Sequence, residues 1–162
     1  MVDMQEPLVV DFTLHPPERN TTTNLSIGIR VEGDSGRESM DAAQAIRYSN
    51  LKAAVFLNRV DVGEAVPVQL VHNGFITEPR SSYLAVGPDG RVSAVSFDSV
   101  EDRPGSGAYS EPENVSHRFL GLAWSQNIPA GRYRLSIQLI DPPKELSLSR
   151  TSLLLAYQRK GK

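Results

Sequence analysis

Residues 127–141 read NIPAGRYRLSIQLID. Pro129, Ala130 and Gly131 are turn chemistry, because proline fixes φ and glycine admits positive φ. Beyond the turn, Tyr133, Leu135, Ile137 and Leu139 alternate with Arg132, Arg134, Ser136 and Gln138. An apolar side chain at every second position marks a strand with one dry face and one wet face. Asp141-Pro142-Pro143 ends the run, since proline has no N–H to give to a ladder. Turn, amphipathic strand and stop together form the repeating unit of an all-β protein.

The same unit recurs along the chain. Leu25, Ile27, Ile29 and Val31 alternate with Ser26, Gly28 and Arg30, and Val66, Val68 and Leu70 alternate with Pro67 and Gln69. PLVVDFTLH near the start, HRFLGLAWS before the turn and TSLLLAYQ near the end read as further strands. SYLAVGPDGRVSAVSF reads as a hairpin with Gly87-Pro88-Asp89-Gly90 at its tip. The stretch from Ser39 to Val60 differs. Its first half is Ala-rich, with Ser39 as an N-cap candidate, and predicts a short helix near 40–48; its second half predicts a strand near 51–60. A single longer helix is the alternative. The expected architecture is one domain over 1–162, an immunoglobulin-like β-sandwich of about eight or nine strands with one short helix.

Composition narrows the function. The chain has 162 residues, enough for a real core. Its net charge of −2 gives no electrostatic footprint for nucleic acid. No apolar run is long enough for a membrane span. The absence of cysteine removes disulfides, thiolate nucleophiles and cysteine-ligated metals. The opening MVDMQEPLVV lacks the basic-then-apolar order of a signal peptide, so the location reads as periplasmic if a signal has been removed and cytoplasmic otherwise.

Catalytic constellations are weak. Gly33-Asp34-Ser35-Gly36 spells GDSG, similar to the nucleophile motif of chymotrypsin-like proteases, but only His15 precedes Ser35 and no distant triad order fits. A turn of small residues explains the motif better. His15, His72 and His117 show no metal-ligand spacing. No P-loop, dinucleotide fingerprint or G-x-S-x-G elbow occurs. Arg132 and Arg134 share a face, which predicts a wet sheet surface. Trp124 stands either in the core or as a sugar-stacking platform. No enzyme activity, metal or cofactor is expected.

The segment 98–114, DSVEDRPGSGAYSEPEN, is long, acidic and rich in Gly, Pro and Ser. Loops of this length are commonly functional or disordered. Tyr109 is its one aromatic anchor, and Asp98, Glu101, Asp102, Glu111 and Glu113 are its charges. A mobile loop holds catalytic carboxylates poorly but presents charge well to a basic partner.

The order of PLVVDFTLHPP, NLSIGIRV, VPVQLVHNG and the final RFLGLAWSQNIPAGRYRLSIQLIDPPKELSLSRTSLLLAY resembles small bacterial β-sandwich proteins, often lipoproteins, of the effector-immunity type associated with type VI secretion. The match is densest over about the last 45 residues. No lipobox cysteine is present. The resemblance implies a bacterial immunity protein that binds a cognate toxin and blocks its active site. Tyr109 would then be an anchor, and the five loop carboxylates would be steering charges. The alternative is a carbohydrate-binding or adhesion module.

Overall fold

The computed structural model describes residues 6–73, 83–93, 96–97, 100 and 116–160. Its elements run β1 (Leu8–Leu14), β2 (Thr21–Gly33), α1 (Gly36–Tyr48), β3 (Lys52–Arg59), β4 (Val66–Pro67), β5 (Leu70–Asn73), β6 (Tyr83–Ala85), β7 (Arg91–Val92), β8 (Ser96–Phe97), β9 (Ser116–Ser125), β10 (Gly131–Ile140), α2 (Lys144–Ser147) and β11 (Arg150–Arg159). They form two antiparallel sheets. The first is ordered β1-β10-β3-β4, with β7 also on β3; the second is ordered β11-β2-β9-β5-β6, with β8 also on β9.

The alternation read from the sequence sets the packing. Tyr133, Leu135 and Ile137 of β10 and Ala53, Val55 and Leu57 of β3 face Leu25, Ile27, Ile29 and Val31 of β2 across one core. Burying each large side chain contributes about 1.5–3 kcal/mol. The opposite face of β10 is wet as expected. Arg132 and Arg134 are exposed there, and Arg134 holds Asp11 of β1 through two hydrogen bonds of 2.7 and 2.9 Å. The two sheets make the protein an all-β sandwich.

The turn before β10 is locked by its own strand. The Tyr133 hydroxyl donates to the Pro129 carbonyl at 2.6 Å, while its ring stacks on Phe12 with centroids 5.9 Å apart. This is the geometry of a tyrosine corner. Gly131 at the turn has φ of 158°. A different constraint acts at Gly28, where β2 shifts register against β9. A Cβ on Gly28 would lie 1.9 Å from the Leu120 carbonyl oxygen, so only glycine lets the two backbones approach.

Several expectations are corrected. The helix begins at Gly36 and is capped by Ser35, whereas Ser39 is buried inside its first turns. The reason is that the Ser35 hydroxyl accepts from the Glu38 N–H, one of the orphan donors of the helix start, while the Glu38 carboxylate accepts from the Asp34 N–H. The hairpin expected over 82–97 does not form among the described residues. The turn exists, with Gly90 N–H donating to Gly87 C=O at 3.0 Å, but β6 pairs with β5 and β7 with β3, so the chain changes sheet there. The expected strand through Val66, Val68 and Leu70 likewise splits into β4 in the first sheet and β5 in the second. Beyond Pro143, one turn of helix, α2, adds to the single helix expected and buries its own Leu146. Eleven strands are found among the described residues, more than eight or nine, because several are two-residue fragments created by these crossings.

α1 carries the chain from β2 in one sheet to β3 in the other. Its Ala43 and Ile46 enter the core. Among the described residues no helix is long and apolar enough to cross a membrane.

Candidate functional site

The six residues singled out from the sequence, Asp98, Glu101, Asp102, Tyr109, Glu111 and Glu113, lie outside the described residues. The ground on either side of them is described. On the upstream side, β8 pairs with β9 through Ser96↔Gly121 and Phe97↔Leu120. Val100 is 1% exposed and bridges to Gln158 of β11. On the downstream side, Ser116 opens β9, and its hydroxyl meets that of Ser39 on α1 at 3.2 Å. Both feet of the acidic segment therefore adjoin α1 and β9.

At the upstream foot the end of α1 builds a surface cluster. The Arg47 guanidinium lies 5.5 Å from the Phe97 ring centroid and 5.6 Å from that of Tyr48. Cation–π contacts at this range are attractive and hold a long side chain in place. Arg47 also lies in the last helical turn, where the helix dipole favours a cation. Tyr48 remains 77% exposed and Phe97 38%. Sequence reasoning misses Arg47 and both rings. A signal was present: with Ala43 and Ile46 facing inward, helical periodicity turns Tyr48 outward. The partnership with Phe97 is a tertiary contact that spacing does not carry.

On the outer face of the second sheet, near the downstream foot, polar groups join. Arg30 Nη2 approaches His117 Nδ1 at 3.3 Å and Arg30 Nε approaches a Glu32 oxygen at 3.8 Å, while His117 tilts against Phe119 at 5.0 Å. Nearby, Arg150 donates to Asp34 at 2.6 Å, a bond that raises the Arg150 pKa. The other histidines are elsewhere. The His15 carbonyl accepts from the Tyr157 hydroxyl at 2.5 Å. His72 lies on β5, where burial lowers its pKa and its Nδ1 is buried with no partner among the described residues. No group of three metal-ligating side chains forms among the described residues.

The GDSG stretch has a structural role at each position. Gly33 packs so closely that a Cβ would fall 2.4 Å from the Ser39 nitrogen. Asp34 pairs with Arg150, and its N–H donates to Glu38 Oε2 at 2.9 Å. Ser35 Oγ accepts from the Glu38 N–H at 3.1 Å. Gly36 opens the helix. Ser-x-x-Glu with these contacts is a close relative of the capping box, and it leaves Ser35 occupied as a cap.

Trp124 is only 9% exposed, with Tyr83 set edge-on at 5.0 Å, so its ring is packed within the protein. An open cleft of about 460 Å³ lies along the edge of β3, lined by Phe56, Pro67, Val68, Val86 and Pro88 among others. Its described lining holds no ionisable side chain, so it offers shape and apolar contact without acid or base. No protein-family model, curated protein or solved structure matches the chain.

Proposed function

We propose that this chain is a bacterial immunity-type protein that binds a cognate secreted antibacterial effector and blocks its active site. The observation that supports the reading is the Tyr48–Arg47–Phe97 cluster beside the acidic segment 98–114. Binding energy at protein interfaces concentrates in a few Tyr, Trp and Arg side chains with restricted freedom. Here a guanidinium is held against two aromatic rings, one of them largely in solvent. In the segment that follows Phe97 in sequence, Asp98, Glu101, Asp102, Glu111 and Glu113 supply negative charge that steers a basic partner and accelerates encounter. Tyr109 adds a further aromatic anchor. Such a protein acts by occlusion and needs no reacting group of its own.

The test is affinity purification with the tagged protein from a lysate of the source organism grown under secretion conditions, followed by mass spectrometry and a titration with the purified partner. The expected result is a stoichiometric complex with a hydrolase or nuclease domain whose activity is lost on binding. Tyr48→Ala should weaken that complex by about tenfold or more. If no partner is captured, or the captured enzyme keeps full activity in the complex, the reading fails.

A further inference from the structure

β1 is the end strand of the first sheet, and among the described residues its one partner is β10. The ladder fixes which of its backbone groups are open. The Arg132 carbonyl accepts from Val60 N–H on the β3 side, so even-numbered residues of β10 bond toward β3 and odd-numbered ones toward β1. Leu135 and Tyr133 therefore bond Val10 and Phe12, and the N–H and C=O groups of Val9, Asp11 and Thr13 point away from the sheet. Val9 is 56% exposed and Leu8 47%. The usual guards of an edge are charged side chains, lysine above all, a bulge or a proline within the strand. β1 has no bulge against β10 and no proline, Pro7 and Pro16 standing outside it, and its one charged side chain, Asp11, is held by Arg134 of β10.

We infer that β1 is a docking edge for an extended strand of another protein, which adds to the first sheet through the Val9, Asp11 and Thr13 backbone groups. The inference names how a partner attaches and so rests on the partner-binding reading above, but its test needs no effector. A second copy of this chain fits the same edge poorly. Two β1 strands about a dyad, fully overlapped, place Asp11 opposite Asp11, and directly opposed like charges are destabilising. Slipping by one hydrogen-bonded pair sets Thr13 opposite Pro7, which has no N–H, or sets Val9 opposite His15, beyond the end of the strand. A foreign strand escapes both restrictions with an apolar residue facing Val9 and a neutral or basic one facing Asp11. Main-chain bonds then supply affinity, and alternate side chains supply selectivity.

The test uses a phage-displayed library of random dodecapeptides selected on the full chain. Val9→Pro and Thr13→Pro each remove one outward N–H and leave the β10 ladder intact, a change that edge strands tolerate. Selected peptides should carry alternating apolar residues, lose about tenfold in affinity for each variant, and slow amide exchange at Val9, Asp11 and Thr13 in the unsubstituted protein. The exchange measurement keeps the test decisive if a variant folds poorly. Peptides that bind both folded variants undiminished, that protect the end of α1 instead, or a library that yields none would overturn the inference. So would a dimer in sedimentation equilibrium that Val9→Pro abolishes, because the edge would then belong to a second copy. Failure to find an effector, with edge-binding peptides in hand, would remove the immunity reading alone.

Discussion

Tyr133→Phe isolates the contact that closes the corner before β10. Tyr133 is fully buried, its hydroxyl donates to the Pro129 carbonyl at 2.6 Å, and its ring stacks on Phe12. Phenylalanine keeps the ring, the stack and nearly all the volume, so the change removes one hydrogen bond and creates almost no cavity. A net hydrogen bond contributes about 0.5–1.5 kcal/mol, and an orphaned buried acceptor adds about 1–3 kcal/mol. Pro129 is an exposed residue, so water can replace the lost donor and the second cost is small. The expected loss is about 1–1.5 kcal/mol, which lowers Tm by roughly 2–6 °C for a domain of this size. Urea and thermal unfolding followed by circular dichroism read it directly. pH adds an independent check. Burial is the main cause that raises the Tyr133 pKa, with Asp61 adding to it and Arg59 opposing it. The unfolded phenol therefore loses its proton at lower pH than the folded one, and stability falls as pH rises through about 10. Phenylalanine has no such loss, so the gap between the two proteins should narrow above that pH. No destabilisation at neutral pH, or a loss above about 3 kcal/mol, would refute the corner as described.

Three further outcomes follow from other contacts. Gly28→Ala forces a Cβ into the Leu120 carbonyl, where only backbone could yield; it should cost about 3 kcal/mol or more, seen as loss of the cooperative thermal transition or a large fall in Tm. Ser35→Ala should cost about 1 kcal/mol through the helix cap and leave partner affinity unchanged, a comparison that calorimetry and a binding titration make together. His72 has its pKa lowered by burial, so the unfolded state takes up a proton first as pH drops. Its contribution is complete above about pH 6.5 and declines below it; His72→Asn should flatten that part of the stability–pH curve measured by urea unfolding.

Much of the scaffold was legible because single side chains report on it. Tyr133, Leu135 and Ile137 alternate in the sequence and share the buried face in the fold, and the same holds for Leu25, Ile27, Ile29 and Val31. The change of composition near residue 50 was legible too, since the Ala-rich half became α1 and the half rich in Val, Phe and Leu became β3. The cap was misplaced by four residues because Ser39 and Ser35 are equally good candidates by type. What separates them is Glu38, three residues after Ser35, which completes the reciprocal bonds. The surface cluster was less legible. Tyr48 could be turned outward from periodicity, but Phe97 reaches Arg47 only because β8 lies on β9 beside the helix.

A period of two tells which face a residue occupies and is silent about which sheet the strand joins. Between β4 and β8 the chain uses that freedom three times, between β4 and β5, between β6 and β7 and between β7 and β8. The first two crossings are bonded across the edge of β3 or to their own return: Val68 N–H to Leu57 C=O and Val55 N–H to Gly90 C=O, each at 2.8 Å, and Val86 N–H to Leu70 C=O at 2.8 Å. The Gln69 side chain adds donors to the Leu70 and Val86 carbonyls. These bonds close one flank of the first sheet with short pieces that offer little continuous ladder to anything else. The opposite flank ends in seven uninterrupted residues of β1. Among the described residues an edge is thus left open by the way the connections are distributed and not by the composition of β1, whose residues read as an ordinary core-facing strand. For this reason the edge appears only once the pairing is known, and a partner strand bound there would extend the first sheet without disturbing the bonds among the described residues.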